Sequence, residues 1–152
     1  QMIMNSYESA LAIMPQLAGF VPMLTGTGGN CGSQSSTLVI RGLAVGEIEF
    51  RDLLKVIWKE IRIAVCISIV LAVVNGLRIM LMGQGDALMA FTIGLTMACT
   101  VVIAKVVGCT LPLIAKRVGL DPAIMATPLI STLVDISTIS VYFAIVSAVF
   151  QL

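Results

Sequence analysis

Three stretches of this chain, residues 63–81, 87–114 and 122–152, are almost uninterruptedly apolar and carry one charged side chain each: Arg78, Lys105 and Asp135. A helix crossing a hydrocarbon core of about 30 Å needs on the order of 20 such residues, and few other environments accept runs of this length and composition. The rest of the chain agrees. Of its 152 residues 59% are apolar and 11% charged, against roughly a quarter charged in ordinary soluble domains. The length allows four spans and little else, so the reading is an all-α membrane protein: a polytopic helical bundle in the cell (inner) membrane, in contact with the lipid bilayer and without a soluble domain.

The same composition closes off several classes of function. A net charge of +1 and the absence of any basic run interleaved with aromatics exclude nucleic-acid binding. Cys31, Cys66, Cys99 and Cys109 form no CxxC pair, and no histidine is present to complete a zinc set, so they read as buried thiols. Gly26, Gly28 and Gly29 match neither GxGxxG nor the P-loop spacing, and no lysine follows them. Nothing pairs a nucleophile with a base, so an enzyme is not expected and no catalytic residue is assigned. The nine methionines read as core and lipid-facing filler rather than as soft metal ligands. The opening Gln1-Met2-Ile3-Met4 has neither a charged n-region nor a cleavage site, and reads as a piece of a longer chain.

Hydropathy and helix signals place helices at about 9–42, 56–81, 87–115 and 122–151, in one transmembrane domain covering 1–152. The first of these passes through Thr25-Gly26-Thr27-Gly28-Gly29-Asn30-Cys31-Gly32-Ser33-Gln34, which reads as a broken membrane helix. Irregular backbone at membrane depth is tolerated only where protein buries it or water reaches it, so the break is expected inside the bundle. From Gly42 to Arg62 charges alternate with Leu53, Leu54, Ile57 and Trp58, the pattern of an interfacial amphipathic segment. Asp121-Pro122 supplies an N-cap and a proline at the first helical position for the last helix, which at 1.5 Å per residue runs roughly 45 Å. Arg41, Arg51, Lys55, Lys59, Arg62, Lys116 and Arg117 flank two loops, with Arg78 alone at the other end. The positive-inside bias therefore makes the 42–62 and 116–121 loops cytoplasmic.

Within this frame a few residues carry chemistry. Asp135 lies roughly 20 Å along the last helix, where a charge costs about 2.5 to 3.5 kcal/mol on insertion scales and so needs a partner, a proton or water. Thr127, Ser131, Asp135 and Thr138 recur at helical spacing and form a polar stripe. Pro128 leaves the carbonyl of Ile124 without its helical donor, and Pro15, Pro22 and Pro112 do the same for Leu11, Ala18 and Gly108. Stripe and free carbonyl together describe a pore lining, to which Gly28, Gly29, Asn30 and Gln34 are added from the glycine-rich stretch. The small residues there have a second reading, close helix packing. Asp121 also has two that can hold together, a helix cap and an ion ligand at the cytoplasmic mouth. Lys105 either snorkels to the interface or pairs with an aspartate, and Asp135 could instead serve helix packing as Lys105's partner. A single membrane carboxylate per chain, doubled in a symmetric dimer, suits Mg2+, which dehydrates reluctantly and is held largely through its waters.

Two motifs make the pattern specific. The stretch from Pro22 to Ser35, PMLTGTGGNCGSQS, resembles the second transmembrane helix of the MgtE magnesium channel family. The stretch Gly119-Leu120-Asp121-Pro122-Ala123 through Thr127-Pro128-Leu129-Ile130-Ser131-Thr132-Leu133-Val134-Asp135 resembles its last. The resemblance implies a homodimeric channel with five helices per subunit around a pore. Asp135 matches the acidic residue that recognises hydrated Mg2+, and Thr127 and Ser131 match positions beside it. It also implies that residues 1–7 hold only the end of the first transmembrane helix. The cytoplasmic regulatory region with paired CBS modules, expected in the full-length protein, has no counterpart here. The expected function is passive conduction of Mg2+, both the bound and the transported ion. Metal contacts are assigned to Asp135, Ser131, Thr127 and Asp121. Two rivals remain at this stage: a carrier coupled to Na+ or H+, and a membrane scaffold or sensor that transports nothing.

Overall fold

The computed structural model describes residues 16–83, 85–125 and 128–150. They form four long helices: α1, Gln16–Ala44; α2, Leu53–Leu81; α3, Ala87–Arg117; and α4, Pro128–Phe150. A 3-10 turn, Phe50–Asp52, leads into α2, and another, Pro122–Met125, precedes α4. No strand occurs among the described residues. The start of the expected first helix, with Pro15 and residues 1–7, lies outside them, as does Thr127.

Local chemistry sets the ends of α3. Asp86 caps its start by accepting the Met89 amide at 2.9 Å. Its end is closed by Gly119 at φ 78°, with the Leu120 amide returning to the Ala115 carbonyl at 2.9 Å. That geometry needs a left-handed residue just past the helix, which glycine adopts without a Cβ penalty.

The glycine-rich stretch does not break α1. It stays helical from Gln16 to Ala44, with Pro22 inside it. Two physical effects outweigh the glycines' poor helix propensity, about 1 kcal/mol each relative to alanine. In a lipid setting every backbone group must be paired, and the helix does this within one segment. The missing side chains also let neighbouring backbones touch. A Cβ on Gly108 of α3 would collide with the Gly32 carbonyl of α1. One on Gly32 would meet the Ala104 carbonyl at 3.2 Å and Ile130 Cγ2 at 3.0 Å, and one on Gly28 would meet Val134 Cγ1 at 2.8 Å and Thr100 Cγ2 at 2.9 Å. The packing reading of these glycines therefore describes Gly28 and Gly32. In the described residues of the C-terminal third, irregular backbone lies between the helices, at the Val118–Gly119 turn after α3 and at Pro122–Met125 ahead of α4.

α3 is the centre of the bundle, packed against α1, α2 and α4, while α1 also packs on α4. Three apolar clusters stack along it. One gathers Leu17, Phe20, Ile79, Met97 and Phe143; one Cys31, Ala64, Val101, Ile130 and Val134; one Val39, Leu43, Cys109 and Leu113. Tyr142 is buried in the first cluster because its hydroxyl donates to the Leu17 carbonyl at 2.9 Å. Among the described residues three helical segments are long and apolar enough to cross a membrane: Phe50–Leu81, Ala87–Arg117 and Pro128–Phe150. α1 has comparable length, 29 residues, but its glycines and hydroxyls lower its apolar content, so the expected count of four spans rests on α1's packing rather than its hydropathy. α2 presents Val65, Ile69, Val73 and Leu77 outward, a face suited to lipid.

Lys105 neither snorkels nor meets an aspartate. Its ammonium is 2% exposed and lies 3.1 Å from the Glu60 carboxylate of α2, itself 4% exposed. Ser35 of α1 donates to the same carboxylate oxygen and accepts from the Lys105 ammonium at 3.2 Å. The segment expected to be interfacial through Arg62 therefore sends one of its charges inward. Glu60 lies seven residues inside α2, on the side facing α3, and only a buried cation makes that position tolerable.

Candidate functional site

α1 and α4 lie side by side, and the seam between them opens as a groove of about 340 Å3. Pro22, Thr25, Gly26, Gly29, Asn30 and Ser33 line it from α1; Ser131 and Asp135 line it from α4. The α1 residues repeat at steps of three and four, so one helical face supplies them all. Gly26 and Gly29 keep that face low: a Cβ on Gly26 would meet nothing within 4 Å, and one on Gly29 would come within 3.7 Å of Ser131 Oγ. The groove is therefore floored by backbone and rimmed by polar side chains.

Hydrogen bonding separates these rim groups from the other hydroxyls of the two helices. Thr132, Ser137 and Ser140 donate to carbonyls four residues back in α4, each at 2.8 Å, and Thr25 and Thr37 do likewise in α1 at 3.0 and 2.9 Å. The side chains of Asn30, Ser33, Ser131 and Asp135 have no hydrogen-bond or ion-pair partner among the described residues. Ser131 and Asp135 are half-buried, so these groups face the groove rather than open solvent. In a hydrocarbon setting such groups must find water, an ion or another protein surface. Among the described residues no cluster of three His, Cys, Asp or Glu side chains exists that could strip and cage a metal. The chemistry on offer is one carboxylate with neutral oxygen and amide neighbours, which fits a cation that keeps its water shell.

The residues singled out in the sequence divide into three groups. Gly29, Asn30, Ser131 and Asp135 come together in the groove. Gln34 follows Asn30 by one turn on the exposed side of α1, and Pro128 is exposed at the start of α4; neither lines the groove. Gly28 and Thr138 lie away from it, buried between α1, α3 and α4, where Thr138 Oγ1 would be 3.2 Å from a Cβ on Gly28. The hydroxyls of Thr138 and Thr100 are buried there without partners. Asp121 is exposed, accepts the Ala123 amide at 2.9 Å in the manner of a cap, and lines a different cavity beside Lys116. Sequence reasoning passed over Thr25, Gly26 and Ser33 as groove residues. The three- and four-residue steps from Pro22 to Ser33 would have found them, once the stretch was treated as an intact helix.

Comparison with known proteins bears directly on this arrangement. Residues 21–145, which hold the whole groove, match the MgtE family, described as "Divalent cation transporter". The chain is 35% identical over 147 residues to the magnesium transporter MgtE of Thermus thermophilus, covering 94% of this chain and 31% of that protein. It is 36% identical over 146 residues to the magnesium transporter MgtE of Bacillus subtilis, covering 96% and 32%, and 32% identical over 148 residues to that of Enterococcus faecalis. It thus spans about a third of the length of the curated relatives it matches. With a match over most of its length, and with three helices among the described residues long and apolar enough to cross a membrane, the chain belongs to the MgtE family of divalent cation transporters.

Proposed function

We propose that this chain is the pore part of a Mg2+ channel, in which hydrated Mg2+ passes down its electrochemical gradient along the α1–α4 groove. The observation that carries this reading is the set of polar groups, Asn30, Ser33, Ser131 and Asp135, left without partners on one open face at membrane depth. A pore supplies what those groups lack, because water and a hydrated cation bond to them in place of protein. The magnesium transport named for the relatives supports the choice of ion.

The same geometry supports function as a homodimer. An open polar groove on a single bundle would face lipid. A second copy related by a two-fold axis would cover it and bring a second Asp135 to the path, giving a charge ring that favours cations and repels anions. Asp135 then attracts the hydrated ion electrostatically, while Ser131, Asn30 and the exposed floor of α1 bond its waters.

The test is Mg2+ uptake into liposomes containing the full-length protein, comparing wild type with Asp135→Asn and Asp135→Ala. Both variants are expected to lose most of the flux while keeping helicity and oligomeric state. Wild-type flux in both would remove Asp135 from the mechanism. Flux proportional to the Mg2+ gradient, with no requirement for Na+ or H+, is expected of a channel; a strict co-ion requirement would assign a coupled carrier instead.

A further inference from the structure

The outward face of α2 carries a feature that ion passage does not use. At its cytoplasmic end, under the positive-inside orientation, a groove of about 410 Å3 begins at Lys59 and Arg62 and runs along Ile63, Cys66 and Ile67. Lys59 also borders a neighbouring cavity of about 310 Å3 that it shares with Arg41 and Glu47. Lys59 and Arg62 are exposed and form no ion pair among the described residues, unlike Lys55, which is bonded to Asp52, and Arg51, bonded to Glu49. Cations at this depth that are not already paired, standing directly above an apolar channel, present two complementary surfaces in the order of a phospholipid: charged headgroup, then acyl chain. The eight steps of helical rise from Lys59 to Ile67 cover about 12 Å of helix, the reach of the upper part of one leaflet.

We propose that this groove binds an anionic phospholipid of the cytoplasmic leaflet, with its phosphate held by Lys59 and Arg62 and one acyl chain laid against Ile63, Cys66 and Ile67. The inference is independent of which ion the α1–α4 groove passes. It commits to a lipid rather than a free phosphate because half of the site is apolar, and to an anionic lipid because both cations are exposed and form no ion pair among the described residues.

The full chain purified in detergent, titrated with dioctanoyl phosphatidylglycerol, dioctanoyl phosphatidylcholine and glycerol 3-phosphate and read by native mass spectrometry, tests it. Phosphatidylglycerol is expected to bind well above phosphatidylcholine, and glycerol 3-phosphate alone not at all. Lys59→Gln and Arg62→Gln should each weaken phosphatidylglycerol about fivefold, and the double variant about thirtyfold. Cys66→Trp, which fills the apolar half, should weaken it with both cations intact. Lys55→Gln removes the same formal charge outside the groove and should leave binding unchanged. Equal losses in Lys55→Gln and Lys59→Gln would mean diffuse surface attraction and overturn the site, as would retention of phosphatidylglycerol by the double variant or binding of glycerol 3-phosphate at the same strength.

Discussion

Breaking the Lys105–Glu60 pair is the sharpest perturbation the bundle offers. Lys105→Met leaves the Glu60 carboxylate 4% exposed with only Ser35 to face it, and Glu60→Met leaves the ammonium 2% exposed with the same neutral partner. Removing one member of a buried ion pair typically costs about 3 to 5 kcal/mol, because the survivor keeps its desolvation penalty and loses its counter-charge. Replacing both by methionine removes both charges, and buried pairs exchanged for apolar groups of similar volume often come out neutral or stabilising. The double variant should therefore lie within about 1 kcal/mol of wild type. Two single losses of about 3 kcal/mol or more that do not sum imply a coupling of several kcal/mol in the double-mutant cycle, well above the error of additivity. Reversible unfolding in mixed micelles, followed by the helical circular dichroism signal, measures all four corners. A double variant no more stable than either single, or a Lys105→Met protein as stable as wild type, would refute the claim that the pair is a mutually dependent unit.

Four further outcomes follow from the packing and the groove. Gly108→Ala places a Cβ against the Gly32 carbonyl, a backbone atom that cannot rotate aside, so the variant should lose about 1 to 3 kcal/mol in the same unfolding assay. Gly76→Ala, with nothing within 4 Å, should gain up to about 1 kcal/mol from helix propensity. Thr138→Val removes a buried hydroxyl that has no partner, so stability should hold or rise, and Mg2+ flux should stay at the wild-type level; a fall in flux with unchanged stability would return Thr138 to the pore. Asn30→Leu should keep the fold and reduce flux, whereas Gly32→Leu should fail to assemble the bundle at all, a contrast that protease resistance and flux measured side by side will display.

Much of the architecture was legible because hydropathy is a one-dimensional property. The end of α2 follows from a run of apolar residues, and the limits of α3 from another such run and from turn chemistry at Asp86 and Gly119, all of it local. What could not be read is which face of a helix meets which neighbour. Glu60 sits among Arg51, Lys55, Lys59 and Arg62, and nothing local distinguishes it from those exposed charges; its burial depends on Lys105, 45 residues away. Gly28 and Gly29 are adjacent and chemically identical, yet one is buried against α3 and α4 while the other floors the groove. The assumption that glycines break a helix came from propensity in water. It failed because lipid penalises an unpaired backbone more heavily than a helix penalises glycine.

That failure also explains how one short segment serves two purposes. Along α1, Leu24, Gly28, Cys31, Gly32, Ser35 and Val39 are buried toward α3 and α4, while Pro22, Gly26, Gly29, Asn30 and Ser33 face the groove. Each set repeats at three- and four-residue steps, and at 100° per residue the two faces lie well apart around the helix. A broken helix could not keep both registers, since any slip of one residue would turn the groove's polar groups into the core and the small packing residues into the path. The Ser35 link to Glu60 and Lys105 fixes α1 against α2 and α3 about half a turn from Ser33 and about one and a half turns from Asn30. The buried charges and the unpartnered groove thus form one mechanical arrangement: a polar anchor on one side of α1 holds its rotation, and that rotation decides which polar groups reach the groove on the other.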